Sequence, residues 1–229
     1  MSKQETVMKW ITESMKRSRK LKDHYSMRGT EIYINEQPPE HVDLEFVFDY
    51  IAARVPKRLL DSVDVIYVGK FPEFEERDIN AFYTNGAIFI TNEQDDEQDM
   101  IDDIVHEIAH AVEERYNDFI YSDSSIEREF MAKRQTLFNL LNSYELHPPK
   151  SLLVNPDYDQ VIDDYLYREV GYDVINDFVN GLFISAYAVT SLSEYYARSF
   201  EEWVFGHRAE IKKLSPAVYN VFEELFEEE

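Results

Sequence analysis

The spacing of hydrophobic and polar positions along this chain changes once, near Asp95. Before that point, the stretch DVIYVGK at 64–70 has the apolar run of a buried strand. Two further β-prone runs flank Asn85-Gly86, and an Asn-Gly pair in that position is the strongest short-range hairpin signal. The first part of the chain therefore predicts a small mixed or antiparallel sheet.

From Asp95 onward the spacing is that of helices. One apolar face is formed by Ile101, Ile104, Val105, Ile108 and Val112. Further helices are predicted at about 124–146, at 157–182, at 192–205, and through Val218, Phe222 and Leu225. An earlier helix, stopped by Pro56, runs through Val42, Phe46, Tyr50 and Ile51. The predicted fold class is α+β, a small sheet followed by a mainly helical C-terminal part.

The N-terminus differs from the rest of the chain in charge. Residues 1–28 hold eight lysines and arginines against three acidic residues, and Val7, Trp10, Ile11 and Met15 recur at helical spacing. We predict a basic helical arm, with an amphipathic helix over residues 4–22. Two interpretations remain open: a helix docked on the acidic body, or an arm for a membrane or a partner protein.

Composition narrows the range of functions. A hydrophobic fraction of 44% with 14% aromatics is typical of a folded protein. No apolar run reaches the roughly 20 residues that span a bilayer, and no signal peptide is visible, so we expect a cytoplasmic protein or one delivered by a non-classical route. The net charge of −23 argues against nucleic acid as a partner of the body. With no cysteine, a tight metal site would need His, Asp and Glu.

The stretch HEIAH at 106–110 is the strongest chemical signal in the chain. His106 and His110 are four residues apart on one helical face and can offer two imidazole nitrogens to one ion. Glu107 lies about 100° further round the helix, where it can reach a water molecule without being a ligand. This geometry is the one a zinc hydrolase requires. The alternative is a surface helix that happens to carry two histidines.

A catalytic zinc site normally takes a third protein ligand. The metzincin pattern is excluded because Glu113 and Tyr116 stand where it needs glycine and histidine. Two carboxylates remain candidates, Glu129 and Glu194, whereas His207 lies in no recognised ligand context. The residues alone leave the choice between the two glutamates open.

The stretch SAYAVTSLSEYYARSFEEW at 185–203 resembles the closing motif of the anthrax lethal factor type of zinc peptidase, which includes the clostridial proline-proline endopeptidases. In that family a tyrosine is followed seven residues later by a glutamate that opens a Glu-Phe-Phe-Ala-like run. Tyr187 and Glu194 have this separation, and Glu194-Tyr195-Tyr196-Ala197 supplies the run. Arg198 departs from the pattern, because an acidic residue is common at that position.

The resemblance implies a zincin-like (gluzincin-type) metallopeptidase domain over residues 29–229, with a helical insertion at about 117–182 that it does not cover. It implies that Glu194 is the third zinc ligand and that the Tyr187 phenol faces the reaction centre. Zinc would activate a water molecule, Glu107 would act as general base, and Tyr187 would hydrogen-bond the developing oxyanion. Glu113 is a candidate for support behind the ligands, although an exposed glutamate is its simpler interpretation.

The substrate would be a peptide or protein. By analogy with zincins, we expect it to lie along the strand AIFIT at 87–91. The acidic residues at 93–103 either favour basic substrates or only complement the N-terminus of a helix. A second function, from another class, is an acidic structural or interaction protein on the same scaffold with weak or lost peptidase activity.

Overall fold

A computed structural model of the protein describes residues 23–77 and 79–227. The predicted helix over residues 4–22 lies outside the described residues. The chain divides into two compact units, Met1–Ile108 and Ala109–Glu229. The boundary falls inside the helix that carries HEIAH, so that helix contributes to both units.

The first unit contains a five-stranded mixed sheet. Its strands are β1 (His24–Met27), β2 (Thr30–Ile34), β3 (Val65–Gly69), β4 (Ala81–Thr84) and β5 (Ala87–Thr91). They are arranged in the order β1-β2-β3-β5-β4, in which β3 is parallel to both β2 and β5. The two outer pairs, β1 with β2 and β4 with β5, are antiparallel hairpins. The α+β class and the small mixed sheet are therefore confirmed.

Both hairpins turn through two residues with positive φ, the backbone that matches the twist of the paired strands. At the predicted turn, Asn85 has φ 48° and Gly86 has φ 82°. The β1–β2 hairpin turns at Arg28 (φ 50°) and Gly29 (φ 113°). This hairpin was not predicted from the sequence. The sequence signal for this hairpin was the alternation of polar and apolar residues in HYSM and TEIYI, on either side of a glycine.

The two faces of the sheet differ in composition. One face forms the core of the unit, where Ile32, Ile66, Ile88 and Ile90 are completely buried. On the other face every strand contributes one ring to a row of neighbouring aromatic side chains. Adjacent ring centroids lie 4.8–5.8 Å apart along the row His24, Tyr33, Tyr67, Phe89 and Phe82.

The strand AIFIT is not at the edge of the sheet. β5 is hydrogen-bonded to β3 on one side and to β4 on the other, so its backbone has no open side for an added peptide strand. The prediction that substrate lies along residues 87–91 is wrong for this reason. The outermost strands of the sheet are β1 and β4.

The helices of the first unit follow the predicted pattern, except that one predicted core residue points to solvent. They are α1 (Leu44–Arg54), α2 (Lys57–Leu60), α3 (Pro72–Arg77) and the first part of α4 (Glu97–Arg115). Asp43 caps α1 by accepting hydrogen bonds from the backbone of Glu45 and Phe46, and the helix ends before Pro56, as predicted. However, Phe46 is exposed, and Val47 and Phe48 are buried in its place.

The second unit is helical throughout its described residues. It contains the last part of α4, then α5 (Asn117–Ile120), α6 (Ser125–Ser143), a 3₁₀ turn (Lys150–Leu153), α7 (Gln160–Asp164), a π-helix (Tyr165–Val170), α8 (Tyr172–Val179), a 3₁₀ turn (Tyr187–Val189), α9 (Leu192–Val204), α10 (Arg208–Leu214) and α11 (Pro216–Leu225). The predicted helix at 157–182 is thus interrupted, by the π-helix and by Gly171 at φ 91°. Among the described residues, no helix is long and apolar enough to cross a membrane.

The core of this unit is aromatic around α9. Tyr195, Tyr196 and Phe200 are completely buried, and Trp203 is nearly so. Phe222 of α11 lies among them, with its ring centroid 5.3 Å from that of Tyr196 and 5.4 Å from that of Trp203. The packing of these side chains fixes α9, the helix on which Glu194 lies.

Candidate metal centre

The helix α4 presents the histidine pair as the spacing predicts. Asp96 accepts hydrogen bonds from the backbone of Gln98 (2.8 Å) and Asp99 (3.0 Å), which satisfies two of the free N–H groups at the start of the helix. One of the acidic residues before α4 therefore has a local role. The apolar residues of the helix are buried, which leaves the histidines on a neighbouring, partly buried face.

Glu194 lies in the first turn of α9. Ser191 begins that helix, because its hydroxyl accepts a hydrogen bond from the backbone of Glu194 at 3.1 Å. His106, His110 and Glu194 each offer one ligand atom, and these atoms all lie within 4.8 Å of one another. The fold thus brings together three predicted ligands that are up to 88 positions apart in the sequence, and the group could hold a metal ion.

The spacing of two of these atoms suits a zinc ion. Nε2 of His110 and Oε1 of Glu194 are 3.5 Å apart. Two ligands at the usual zinc distances of about 2.0–2.2 Å, held at the tetrahedral angle, are about 3.4 Å apart. Two imidazoles and one carboxylate form a donor set typical of catalytic zinc, with a fourth position left for water.

The other ring nitrogen of His110 is held by a hydrogen-bonded chain. Nδ1 of His110 lies 3.1 Å from the Ser193 hydroxyl, which donates to Oε2 of Glu113 at 2.5 Å. The Tyr121 hydroxyl donates to the other oxygen of Glu113, also at 2.5 Å. An N–H at Nδ1 that donates to Ser193 leaves the lone pair of the ring on Nε2, the nitrogen that faces Glu194. Such an outer contact orients a histidine ligand and raises its basicity.

Glu113 is therefore not the exposed glutamate of the simpler interpretation, since its side chain is only 13% exposed. Glu113 was a candidate support from its position in the sequence, whereas Ser193 and Tyr121 were not predicted. The only sequence signal for Ser193 is its position directly before Glu194. Burial raises the pKa of Tyr121, as do the negative charge and the hydrogen bond of Glu113, so that its phenol remains a neutral donor.

A partly buried carboxyl lies one turn before His106. Burial raises the pKa of Asp103, while the hydrogen bond from Gln94 Nε2 (3.1 Å) and the charge of His106 lower it. The same Gln94 amide also donates to the backbone carbonyl of Thr91 at 3.3 Å. Each histidine of the pair thus has an acidic residue three positions away on its own helix, Asp103 for His106 and Glu113 for His110.

The two predicted catalytic residues have different surroundings. Glu107 is 8% exposed, between the two histidines in sequence. Tyr187 lies in the 3₁₀ turn that precedes α9 and is 41% exposed, with its ring edge-on to Tyr172 at a centroid distance of 6.2 Å. Their catalytic roles stay predictions.

The alternative ligands have other contacts. Glu129 accepts hydrogen bonds from the Tyr195 hydroxyl (2.7 Å) and from the backbone of Ala217 (3.0 Å), and so joins α6 to α9 and α11. His207 contacts Glu202. Neither belongs to the group of candidate ligands found among the described residues. The geometry thus favours Glu194 as the third ligand.

Arg198 also has a defined contact. Its guanidinium pairs with the buried carboxylate of Glu201 at 2.7 Å. The acidic residue that the resemblance leads us to expect at position 198 is thus replaced by one side of an ion pair within α9. A carboxylate of α4, that of Glu113, reaches His110 through the Ser193 hydroxyl instead.

Comparison of the chain with protein-family models, with curated proteins and with solved structures finds no match. The function is therefore inferred from the residues themselves, above all from the three candidate ligands and from the hydrogen-bonded chain behind His110.

Proposed function

We propose that this protein is a zinc-dependent metallopeptidase of the zincin type, in which His106, His110 and Glu194 hold the metal. The observation that carries the proposal is the convergence of Glu194 of α9 with the histidine pair of α4. A chance histidine pair on a surface helix gives no reason for a third ligand at that place. The resemblance of residues 185–203 to the lethal factor type of zinc peptidase supports the same assignment.

The chemistry assigns one role to each residue. A bound zinc ion supplies Lewis acidity and lowers the pKa of a water molecule to about 7. Glu107 accepts the proton of the attacking water and later delivers it to the leaving amine. Tyr187 donates a hydrogen bond to the oxygen that becomes negative. Ser193 and Glu113 keep Nε2 of His110 directed at the ion.

Metal content tests the proposed site. Elemental analysis of the untagged wild-type protein, of Glu194→Gln and of Glu129→Gln should find near-stoichiometric zinc in the wild type and in Glu129→Gln only. Glu129→Gln is the matched control, because it alters a glutamate of the same unit that lies outside the candidate group. A wild-type protein that takes up no zinc after incubation with the metal would refute the site.

Peptide cleavage tests the activity. On a mixed peptide library we expect zinc-dependent products from the wild type, and a loss of about 10²–10⁴-fold in Glu107→Gln with zinc content unchanged. The competing function is an acidic structural or interaction protein, motivated by the net charge of −23. Stoichiometric zinc in a protein that cleaves no peptide of the library would favour that function.

A further inference from the structure

Four tyrosines and one aspartate form a connected cluster on the segment between α6 and α9. The hydroxyls of Tyr158 and Tyr172 donate to the two carboxylate oxygens of Asp163, each at 3.0 Å. The ring of Tyr172 then lies between two others, with its centroid 5.6 Å from that of Tyr167 and 6.2 Å from that of Tyr187. We call Tyr158, Tyr167, Tyr172 and Tyr187, with Asp163, the tyrosine cluster.

Three rings of the tyrosine cluster are exposed to solvent. Tyr158 is 55% exposed, Tyr167 is 59% exposed and Tyr187 is 41% exposed. Burial and the charge of Asp163 raise the pKa of Tyr172, which keeps its hydroxyl protonated and bonded to Asp163. The cluster is thus an anchored aromatic surface and not a set of independent surface side chains. Aromatic surface held in this way is typical of recognition sites.

A rare backbone element displays the most exposed ring. Tyr167 lies in the π-helix Tyr165–Val170, which ends at Gly171. Tyr165 and Leu166 are buried, and the Tyr165 hydroxyl donates to the carbonyl of Leu146 at 2.9 Å. These contacts hold the π-helix while Tyr167 points outward. π-Helical turns are uncommon and occur frequently at functional sites.

The chain segment that carries the cluster is mostly acidic. Between residues 155 and 187 there is one basic side chain, Arg168, which pairs with Asp164 at 3.2 Å. The acidic side chains of the same segment are Asp157, Asp159, Asp163, Asp164, Glu169, Asp173 and Asp177. An acidic chain segment with exposed aromatic faces is complementary to ammonium and guanidinium groups, which bind over such faces.

From this complementarity we infer that the tyrosine cluster is a docking surface for a lysine- or arginine-bearing segment of a protein partner. The cationic groups lie over the faces of Tyr167 and its neighbours, and the surrounding carboxylates attract the segment and hold it. The binding needs neither a metal ion nor Glu107. Tyr187 also has a role in the proposed peptidase activity, whereas Tyr167 has none, so a variant of Tyr167 tests the docking surface separately from that activity.

Fluorescence anisotropy with the full chain tests this surface, with labelled hexalysine, its lysine-acetylated form and hexaglutamate as probes. We expect binding of hexalysine only, weakened by salt. Tyr167→Ala should weaken it about tenfold, the size of a partly desolvated cation–π contact, whereas Tyr167→Phe keeps the ring and the affinity. The matched control is Tyr144→Ala, which removes a 65% exposed tyrosine outside the cluster and should leave hexalysine binding unchanged.

Two results would overturn the inference. If Tyr167→Ala and Tyr144→Ala bind hexalysine as the wild type does, the binding is an effect of the overall negative charge. If acetylated hexalysine binds as well as hexalysine, the surface recognises apolar chain and not cations. Circular dichroism of each variant separates a lost contact from a lost fold.

Discussion

At the scale of single residues, the candidate site depends on contacts of the second nitrogen of His110. A histidine ligand binds a metal through one nitrogen, and the group on the other nitrogen sets the orientation of the ring. Here that group is the Ser193 hydroxyl, which itself donates to Glu113. The carboxylate of Glu113 thus acts on the histidine through one intervening hydroxyl.

Removing that hydroxyl should weaken metal binding without removing a ligand. We expect Ser193→Ala to lower zinc affinity by about 10–100-fold, the usual effect of losing such a contact. Competition with a chromophoric chelator measures the change. Ser199→Ala is the control on the same helix, because its hydroxyl donates only to the backbone carbonyl of Tyr195. Equal affinities for the two variants would exclude this role for Ser193.

A second residue-scale effect concerns Lys133. Its ammonium donates to the backbone carbonyls of Leu182 and Leu214, and burial lowers its pKa from 10.5 to about 8 although Glu129 acts in the opposite direction. Between pH 8 and about 10, the Lys133 side chain is protonated in the unfolded protein but has lost its proton in the folded protein. The free energy of unfolding therefore rises with pH in this window, by at most about 1.4 kcal/mol per pH unit.

Urea unfolding at pH 8, 9 and 10 should show this rise in the wild type and a smaller slope in Lys133→Met. The exposed Lys150→Met is the control and should keep the wild-type slope. Above about pH 10 the trend reverses, because burial raises the pKa of Tyr195 and keeps it protonated only in the folded protein. A slope that is the same in Lys133→Met and in the wild type would contradict the assignment.

At the scale of elements, a buried arginine fixes the chain that leads into α9. Arg134 of α6 is completely buried, and burial lowers its pKa to about 10, so it is still charged at neutral pH. Its guanidinium donates to the carbonyls of Val189 (2.6 Å) and Thr190 (2.7 Å), and to that of Asn155. These carbonyls include the end of the 3₁₀ turn directly before the helix of Glu194.

Replacing Arg134 by methionine should therefore destabilise the protein strongly. Three carbonyls lose their donor together, and we expect a loss of about 3 kcal/mol in the free energy of unfolding. Urea unfolding measures it. Arg128→Met is the control on the same helix, because Arg128 donates to one exposed carbonyl, that of Asp123, and its loss should cost less than about 0.5 kcal/mol.

The helices and strands also differ in how well their local sequence predicted them. The helix α4 and the hairpin at Asn85-Gly86 carry strong local signals, and both form where the pattern places them. The β1–β2 hairpin was missed because Arg-Gly is a weaker turn signal than Asn-Gly. The break in the predicted helix at 157–182 was missed because the packing of Tyr165 and Leu166, which holds the π-helix, involves contacts distant in sequence.

At the scale of the whole molecule, the main feature is the large negative net charge. The chain has 46 acidic and 23 basic residues, and so large a net charge destabilises the folded state by self-repulsion.

Salt should accordingly stabilise the protein. Raising the ionic strength from a few millimolar to physiological salt should raise Tm by about 2–4 °C, which corresponds to about 1 kcal/mol of screened repulsion. Thermal unfolding in sodium chloride and in choline chloride measures this. A rise in sodium chloride alone would indicate a specific ion effect and contradict general screening.

The sequence by itself determined what depends on neighbours along the chain. It determined the α+β class and the histidine pair on one helical face, because helical and strand spacing are properties of short segments. Only the tertiary structure decided which glutamate meets the histidines, since the residues alone left Glu129 and Glu194 open. It also decided that β5 is an inner strand and that Ser193 links His110 to Glu113. These are contacts between segments distant in sequence, and their geometry is set by how the helices and strands pack rather than by local pattern.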